Sequence, residues 1–321
     1  MLPKILSTSV IRAAECGDSH GGLYLIDLEN ETHQLVLDWK DESIDFEGRG
    51  GERGLRGVVC LNDYIYLASN SAILKLNLKF EILDQYTNEY LENIHEIHIQ
   101  GDELLVTSTG FDSLLWFDLK SEKFKSALLF RKEPPPTSIL KRLRNKLLPK
   151  ARFVSKFYNP NEPNQVDKKD STHINSVFTD KENIYFSGTS LKNLYRLDEI
   201  GNVKPDYIIP FKTHNGRFSK DYIYFNNTPT NIVKRVNPVT NDILEYQIPD
   251  IIDVEDKINS DKIAKSSFNR GMLFHEDYLI VGSSPSNITV FNIHSGKFIK
   301  QLQLSNDIKN AIHGIALYPF D

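Results

Sequence analysis

KDYIYFNNTP, residues 220–229, joins a charged turn to a short apolar strand and then to a cluster of small polar residues. Four other stretches repeat this order: NDYIYLASNS (62–71), GDELLVTSTG (101–110), KENIYFSGTS (181–190) and EDYLIVGSSP (276–285). A unit that recurs along a chain is the signature of a repeat architecture. The chain is therefore expected to be built from one structural unit used several times.

Each unit contains four short strands. In the unit around residue 220, the strand NGRFS (215–219) precedes the repeated stretch, and NIVKRVN (231–237) and a further strand follow it. Four short strands joined by tight turns are typical of a blade of a β-propeller. The alternative is a β-sandwich with irregular hairpins.

A sixth unit is divided between the two ends of the chain. Residues 5–10, 21–28 and 33–39 supply its second to fourth strands, and HGIALYP (313–319) supplies the first. Pairing of the two ends closes the ring and removes an exposed sheet edge. The sequence thus predicts an all-β fold, a single six-bladed propeller over residues 1–321 closed by its C-terminal strand.

Four stretches also carry a resemblance to known proteins: HINSVF (173–178), HNGRF (214–218), FNRGM (268–272) and HGIALYP (313–319). They resemble a bacterial six-bladed propeller family known only as a domain of unknown function. At the level of the fold, the chain is similar to the gluconolactonase and paraoxonase lactonases and to the arylsulfate sulfotransferases. Neither similarity fixes a reaction, because one fold supports many activities.

The composition excludes several classes of protein. The chain has 321 residues and a net charge of −5, so it lacks the basic surface that general nucleic-acid binding needs. Its two cysteines, Cys16 and Cys60, are too few for a disulfide framework. The N-terminus predicts a strand instead of a signal peptide, and no stretch predicts a transmembrane segment. These features favour a cytoplasmic protein.

The start of each first strand predicts the functional site. In a propeller, the first strand of each blade lines the central channel, so these six starts meet at one mouth. They carry polar or basic residues in every blade: Arg56, His95 with Glu96, His173 with Asn175, His214 with Asn215, Asn269 with Arg270, and His313. On the fourth blade the member of the ring is left open between His173 and Asn175. The alternative is that these side chains bind only water or neighbouring backbone.

Two kinds of chemistry fit this ring. The guanidinium groups of Arg56 and Arg270 bind carboxylate, sulfate or phosphate, and imidazoles beside an anion serve as acid, base or nucleophile. The first hypothesis is therefore an enzyme that acts on an anionic small molecule. Its predicted catalytic residues are His95, His173, His214 and His313, and its predicted substrate-binding residues are Arg56, Arg270, Glu96, Asn175, Asn215 and Asn269.

The second hypothesis is a hydrolase or lactonase type of enzyme that depends on one divalent metal ion. The ion would be held by His95, His173, His214 and His313, together with Glu96 and the asparagines. Against it, the arginines repel a cation, and the aspartate expected from the resemblance to lactonases is not apparent. A third hypothesis is a propeller that binds a protein partner and has no enzymatic activity.

Long connections reach the same mouth: residues 39–55, 131–172, 249–267 and the loop that holds His20. Long loops on a rigid scaffold often carry function. Within 131–172, apolar residues at 139, 140, 143, 147 and 148 alternate with basic ones and predict an amphipathic helix. Its predicted roles are a lid over the ring, contact through 139–156 with an anionic membrane surface or acidic partner, or a plain solvated helix. Arg49 and Arg53 either reach the mouth or belong to a solvated loop.

Overall fold

The computed structural model describes residues 1–12, 14, 17–40, 54–133, 152–251 and 268–320. These residues form strands arranged in six antiparallel sheets. Cys16, Arg49, Arg53 and the predicted helix at 139–148 lie outside them. Within the described residues, no helix has the length and apolar character needed to cross a membrane.

The strands are numbered in chain order, and each sheet is one blade. The first three blades contain β1 (Lys4–Ile11), β2 (Gly22–Asp27), β3 (Thr32–Asp38), β4 (Val58–Leu61), β5 (Tyr64–Ala68), β6 (Ala72–Leu76), β7 (Ile82–Thr87), β8 (Ile97–Gln100), β9 (Glu103–Ser108), β10 (Ser113–Asp118), β11 (Lys123–Glu133) and β12 (Arg152–Tyr158). The remaining strands are β13 (Ile174–Asp180), β14 (Asn183–Gly188), β15 (Asn193–Leu197), β16 (Val203–Ile208), β17 (His214–Ser219), β18 (Tyr222–Asn227), β19 (Ile232–Val236), β20 (Ile243–Gln247), β21 (Arg270–His275), β22 (Tyr278–Ser283), β23 (Asn287–Asn292), β24 (Phe298–Gln303) and β25 (Asn310–Leu317).

The C-terminal strand closes the ring, as predicted. Blade 1 has the order β25-β1-β2-β3, with Ile5 opposite Leu317 and Val10 opposite Ala311. Blades 2, 4, 5 and 6 are β4–β7, β13–β16, β17–β20 and β21–β24. Each repeated stretch found in the sequence forms the second strand of a blade. The prediction of a six-bladed propeller is confirmed.

Blade 3 has five strands instead of four. Its order is β12-β11-β10-β9-β8, because β11 continues to Glu133 and Arg152–Tyr158 pairs with it antiparallel. The sequence placed residues 131–133 and 152–158 in the insertion and predicted no strand there. The insertion therefore begins in sheet structure and returns to it at Arg152–Tyr158, at the outer edge of the blade, before residues 159–172 lead to the next blade.

The hydrophobic core lies between neighbouring blades. Central strands are buried on both faces, as in β10, where all six residues are buried, because each blade packs against two others. Outer strands such as β7 are mostly exposed. Between blades 2 and 3, for example, Tyr66 and Ile73 pack with Leu104 and Phe117. Equivalent contacts at every junction fix the six first strands around one channel.

Candidate functional site

Histidines from three blades lie side by side at one mouth of the channel. The ring centre of His95 is 5.1 Å from that of His173 and 6.0 Å from that of His313. Arg56 and Arg270 are close enough to lower the pKa of His95. The structure therefore brings together five of the residues that the sequence assigned to the ring.

His95 and His214 are held by the same kind of contact. The Nδ1 atom of His95 lies 2.8 Å from the carbonyl oxygen of Asn93 and 2.9 Å from Oγ1 of Thr109. The Nδ1 atom of His214 lies 2.9 Å from Oγ1 of Thr228. A carbonyl only accepts, so Nδ1 of His95 carries the proton and its Nε2 keeps the lone pair.

The two threonines also join neighbouring blades. Thr109 and Thr228 each begin a short 3-10 helix after the second strand, Thr109–Phe111 and Thr228–Thr230. Their hydroxyls donate to the carbonyl oxygens of Ile174 and Asn269 on the next blade. Each hydroxyl is thereby left to accept from the imidazole Nδ1–H. The sequence showed these threonines only as members of the recurring small polar clusters.

Nε2 of His214 is buried and has no hydrogen-bond partner among the described residues. The side chain itself is 5% exposed. Leaving a buried polar atom unpaired costs about 1–3 kcal/mol, so such an atom in a folded protein calls for an explanation, such as a bound water or a ligand. A lone pair at this position is available to a ligand proton.

Arg270 is the cation most closely integrated into the ring. Its Nη1 atom donates to Nε2 of His313, and its guanidinium lies 4.8 Å from the ring centre of Phe268. Its Nε atom is buried and lacks a hydrogen-bond partner among the described residues. Within the same residues, no carboxylate forms an ion pair with Arg270.

A third arginine, Arg12, joins the site, and the sequence did not predict it. It follows β1 and places its guanidinium 5.6 Å from the centre of the Phe268 ring. Arg12 and Arg56 both lower the pKa of Arg270, after the larger effect of burial. An arginine stays protonated in proteins, so two positive charges lie against one aromatic ring and a third, that of Arg56, lies near enough to act on Arg270.

Burial and these charges keep the histidines neutral. Burial is the largest cause that lowers the pKa of His95, His214 and His313, and Arg56 or Arg270 adds the next contribution. All three pKa values lie well below the usual value near 6.5. At neutral pH these imidazoles accept protons and do not add to the positive charge.

Blade 4 resolves the choice that the sequence left open. His173 is half-buried, has a left-handed backbone with a φ of 52°, and its Nδ1 atom lies 2.8 Å from Oδ2 of Asp170. It is this residue that reaches His95. Asn175 is buried, and its amide lies 3.5 Å from the carbonyl oxygen of Thr213.

Two predicted binding residues instead form contacts between blades 5 and 6. Oδ1 of Asn215 accepts from the backbone amide of Gly271 at 2.9 Å and from the side chain of Asn226 at 3.2 Å. The amide of Asn269 donates to Oδ1 of Asn226 at 3.1 Å and to the carbonyl oxygen of Ile232 at 3.2 Å. Nothing in these contacts supports the predicted role of either asparagine in substrate binding.

Glu96 lies deeper in the channel, and both oxygens of its carboxylate accept hydrogen bonds from the protein. One carboxylate oxygen accepts from Nη2 of Arg217 and, at 3.3 Å, from the amide of Asn215. The other accepts from the backbone amide of Val177 at 2.9 Å. Arg217 was not predicted, because it lies beyond the start of its strand. It neutralises the Glu96 carboxylate in an ion pair.

The described residues offer no obvious metal centre. None of their His, Cys, Asp and Glu side chains forms a group of three or more that is arranged to hold a metal ion. Glu96, the predicted oxygen ligand, is bound to Arg217. The geometry therefore gives no support to the metal-dependent alternative.

Comparison with known proteins confirms the fold. A protein of unknown function from Bacteroides caccae matches with a TM-score of 0.61 and 10% identity over 99% of this chain and 100% of the other. A chain of the nidogen/laminin complex matches with a TM-score of 0.57 and 10% identity over 98% of each. Virginiamycin B lyase from Staphylococcus aureus reaches a TM-score of 0.47 at 16% identity over 80% and 72%.

No protein-family model matches the chain, and no curated protein matches it in sequence. The two structures with the higher TM-scores show a shared propeller fold, as the resemblance in the sequence predicted. At 10% identity they carry no information about the ring residues.

Proposed function

We propose that the mouth of the channel binds the anionic group of a small molecule between its arginines, and that neutral imidazoles then act on the bound molecule. The observation that carries this proposal is Arg270, a half-buried cation whose Nε atom is buried and which has no carboxylate partner among the described residues. Placing an uncompensated cation in a protein interior costs several kcal/mol. An anionic ligand would supply the missing charge.

The donor geometry favours an oxyanion. A guanidinium presents its N–H groups in a planar fork that matches the oxygens of carboxylate, sulfate or phosphate. The free Nε atom of Arg270 is one such donor. Its Nη1 atom now donates to His313, and a bound oxyanion would compete for that donor.

The imidazoles have the protonation state that a base or nucleophile requires. His95 keeps its Nε2 lone pair, and Nε2 of His214 has no partner among the described residues. Threonine contacts fix the orientation of both rings. A neutral, oriented imidazole next to a bound anion is suited to take up a proton from the ligand or to attack it.

Isothermal titration calorimetry with sodium sulfate and sodium phosphate, at constant ionic strength, tests the binding step. The wild type should bind at least one of these anions, and Arg270→Gln should weaken binding at least tenfold. Arg196→Gln provides the control, because Arg196 lies on β15 and pairs with Asp206 away from the mouth. Equal binding by wild type and Arg270→Gln would refute the proposal.

The catalytic step needs a separate test. Aryl sulfates, aryl phosphates and carboxylate esters should be screened for turnover by the wild type and by His214→Gln and His95→Gln. Turnover that both variants lose, while sulfate binding remains, would assign the imidazoles to the reaction. Turnover that both variants retain would remove the imidazoles from the mechanism.

A further inference from the structure

A cavity of about 370 Å³ lies in the channel directly beneath the histidines. His95 and His313 line it, and the same two rings lie beside Arg270 and Arg56. The two imidazoles thus form a boundary shared by the charged mouth and the cavity. Its volume is at the small end of ligand pockets, which span about 300–1,000 Å³.

Most of the cavity wall is apolar. The first strands of five blades contribute to it, and its apolar side chains include Val59, Ile99, Met272, Leu273, Ile315 and Leu317. Most of these side chains are only half-buried, although they sit on the innermost strands. Apolar surface that remains uncovered at the centre of a fold gains free energy when an apolar group fills it.

The polar groups of the wall do not attract a charged ligand. Glu96 and Arg217 neutralise each other in an ion pair. Burial lowers the pKa of His98 to about 3, and burial raises the pKa of the Cys60 thiol to about 12. All four groups are therefore paired or neutral at pH 7, in contrast to the arginines at the mouth.

We infer that the ligand is an amphipathic anion, with its charged group at the arginines and a short alkyl chain or single ring in the cavity. This inference rests on the proposed function, because it assumes that the mouth binds the anionic end. In this arrangement, the bond that joins the charged group of the ligand to its apolar part lies beside His95 and His313. Simple inorganic anions would then be weak ligands.

Binding of sulfate and of methyl, butyl and hexyl sulfate, measured by calorimetry, tests the inference. Burying one methylene group is worth about 0.8 kcal/mol, so affinity should rise about fourfold per methylene until the cavity is full. Leu273→Phe and Ile99→Phe, on different strands, should each flatten this rise while sulfate still binds. Ile299→Phe on the exposed face of β24 is the matched control.

The outcomes separate the two proposals. If sulfate binding depends on Arg270 but chain length has no effect, the amphipathic ligand is wrong and the anion site stands. If the rise with chain length survives in both filling variants, the chain lies outside the cavity, which overturns the inference. If sulfate and all alkyl sulfates fail to bind, the proposed function itself fails and the inference falls with it.

Discussion

Arg270 of blade 6 donates a hydrogen bond to Nε2 of His313 on blade 1. The lone pair of one of the four imidazoles assigned to catalysis is therefore already bound to a cation. Nε2 of His214, on the other neighbour of blade 6, has no such partner among the described residues. The histidines of the ring are therefore not equivalent. The hydrogen bond between Arg270 and His313 must break before the Nη1 donor of Arg270 and the Nε2 lone pair of His313 can each bind a ligand.

Nitrogen-15 NMR of the imidazole rings should show this difference. At pH 7 we expect His95, His214 and His313 to be neutral, with the proton on Nδ1, because Nδ1 of His95 faces a carbonyl and Nε2 of His313 accepts from Arg270. Saturating sulfate should change the Nε2 signal of His313 most. Single His→Gln variants assign the signals. A proton on Nε2 of His214 would contradict the assigned tautomer.

Gly314 should not tolerate a side chain, because the first strand of blade 1 passes close to blade 2 at this residue. A Cβ atom at Gly314 would overlap the carbonyl oxygen of Arg56 and lie 2.9 Å from Oγ1 of Thr8. Overpacking of this kind costs about 1–3 kcal/mol, so Gly314→Ala should lower the free energy of unfolding by that amount. Urea unfolding measures it.

Gly216→Ala is the matched control for Gly314→Ala. Gly216 also lies in a first strand, but the nearest atom to its added Cβ is 3.5 Å away, in ordinary contact. We expect a change within about 0.5 kcal/mol. Equal losses in the two variants would show that contact with Arg56 and Thr8 is not the cause.

The blades could be predicted from the sequence because residues close together in the chain determine where each strand begins and ends. Stretches such as 62–71 and 220–229 place a turn, an apolar strand and small polar residues in a fixed order, and each became a second strand. β12 was not predictable in the same way. It follows three prolines and a basic segment, and only its pairing with β11 across that segment makes it a strand.

The candidate site was predictable where a residue stands at or just before the start of a first strand, as Arg270 and His95 do. His313 was found although its strand begins three residues earlier, at Asn310. It was not predictable where side-chain direction depends on a bulge. The register shifts between His214 and Gly216, and the side chain of Asn215 bonds to Gly271 of blade 6 and to Glu96 within the channel. Arg12 lies in a different strand position and enters the site only through the length of its side chain.

Stability should fall as pH falls through the range in which the unfolded chain titrates. The pKa values of His95, His214 and His313 are lower in the folded protein than the value near 6.5 of an unfolded chain. Below about pH 6.5 the unfolded chain therefore binds more protons. Each histidine should remove about 1.4 kcal/mol of stability per pH unit, and its contribution is fully present above pH 6.5.

Urea unfolding at several pH values between 7.5 and 5 measures this slope. His95→Gln/His214→Gln should reduce the slope by about 1.4 kcal/mol per pH unit for each histidine removed. His33→Gln, at an exposed position on β3, should leave it unchanged. A double variant with the slope of the wild type would show that these imidazoles are not held neutral by the fold.

The two channel arginines should respond to substitution in opposite ways. Arg217 is paired with Glu96, so Arg217→Gln leaves a buried carboxylate without its cation and should cost about 3–5 kcal/mol of unfolding free energy. Arg270 has no carboxylate partner among the described residues, and burial with Arg12 and Arg56 lowers its pKa. In anion-free buffer, Arg270→Gln should therefore be at least as stable as the wild type.

Thermal and urea unfolding of the wild type and both variants, each with and without sulfate, test these two expectations. Sulfate should raise the stability of the wild type and leave that of Arg270→Gln unchanged, because only a ligand bound to the folded state stabilises it. Glu96→Gln combined with Arg217→Gln should recover part of the loss caused by Arg217→Gln alone. If Arg270→Gln lost as much stability as Arg217→Gln, the main role of Arg270 would be to stabilise the fold. Arg270 could then not give up its hydrogen bond to His313 in order to bind a ligand.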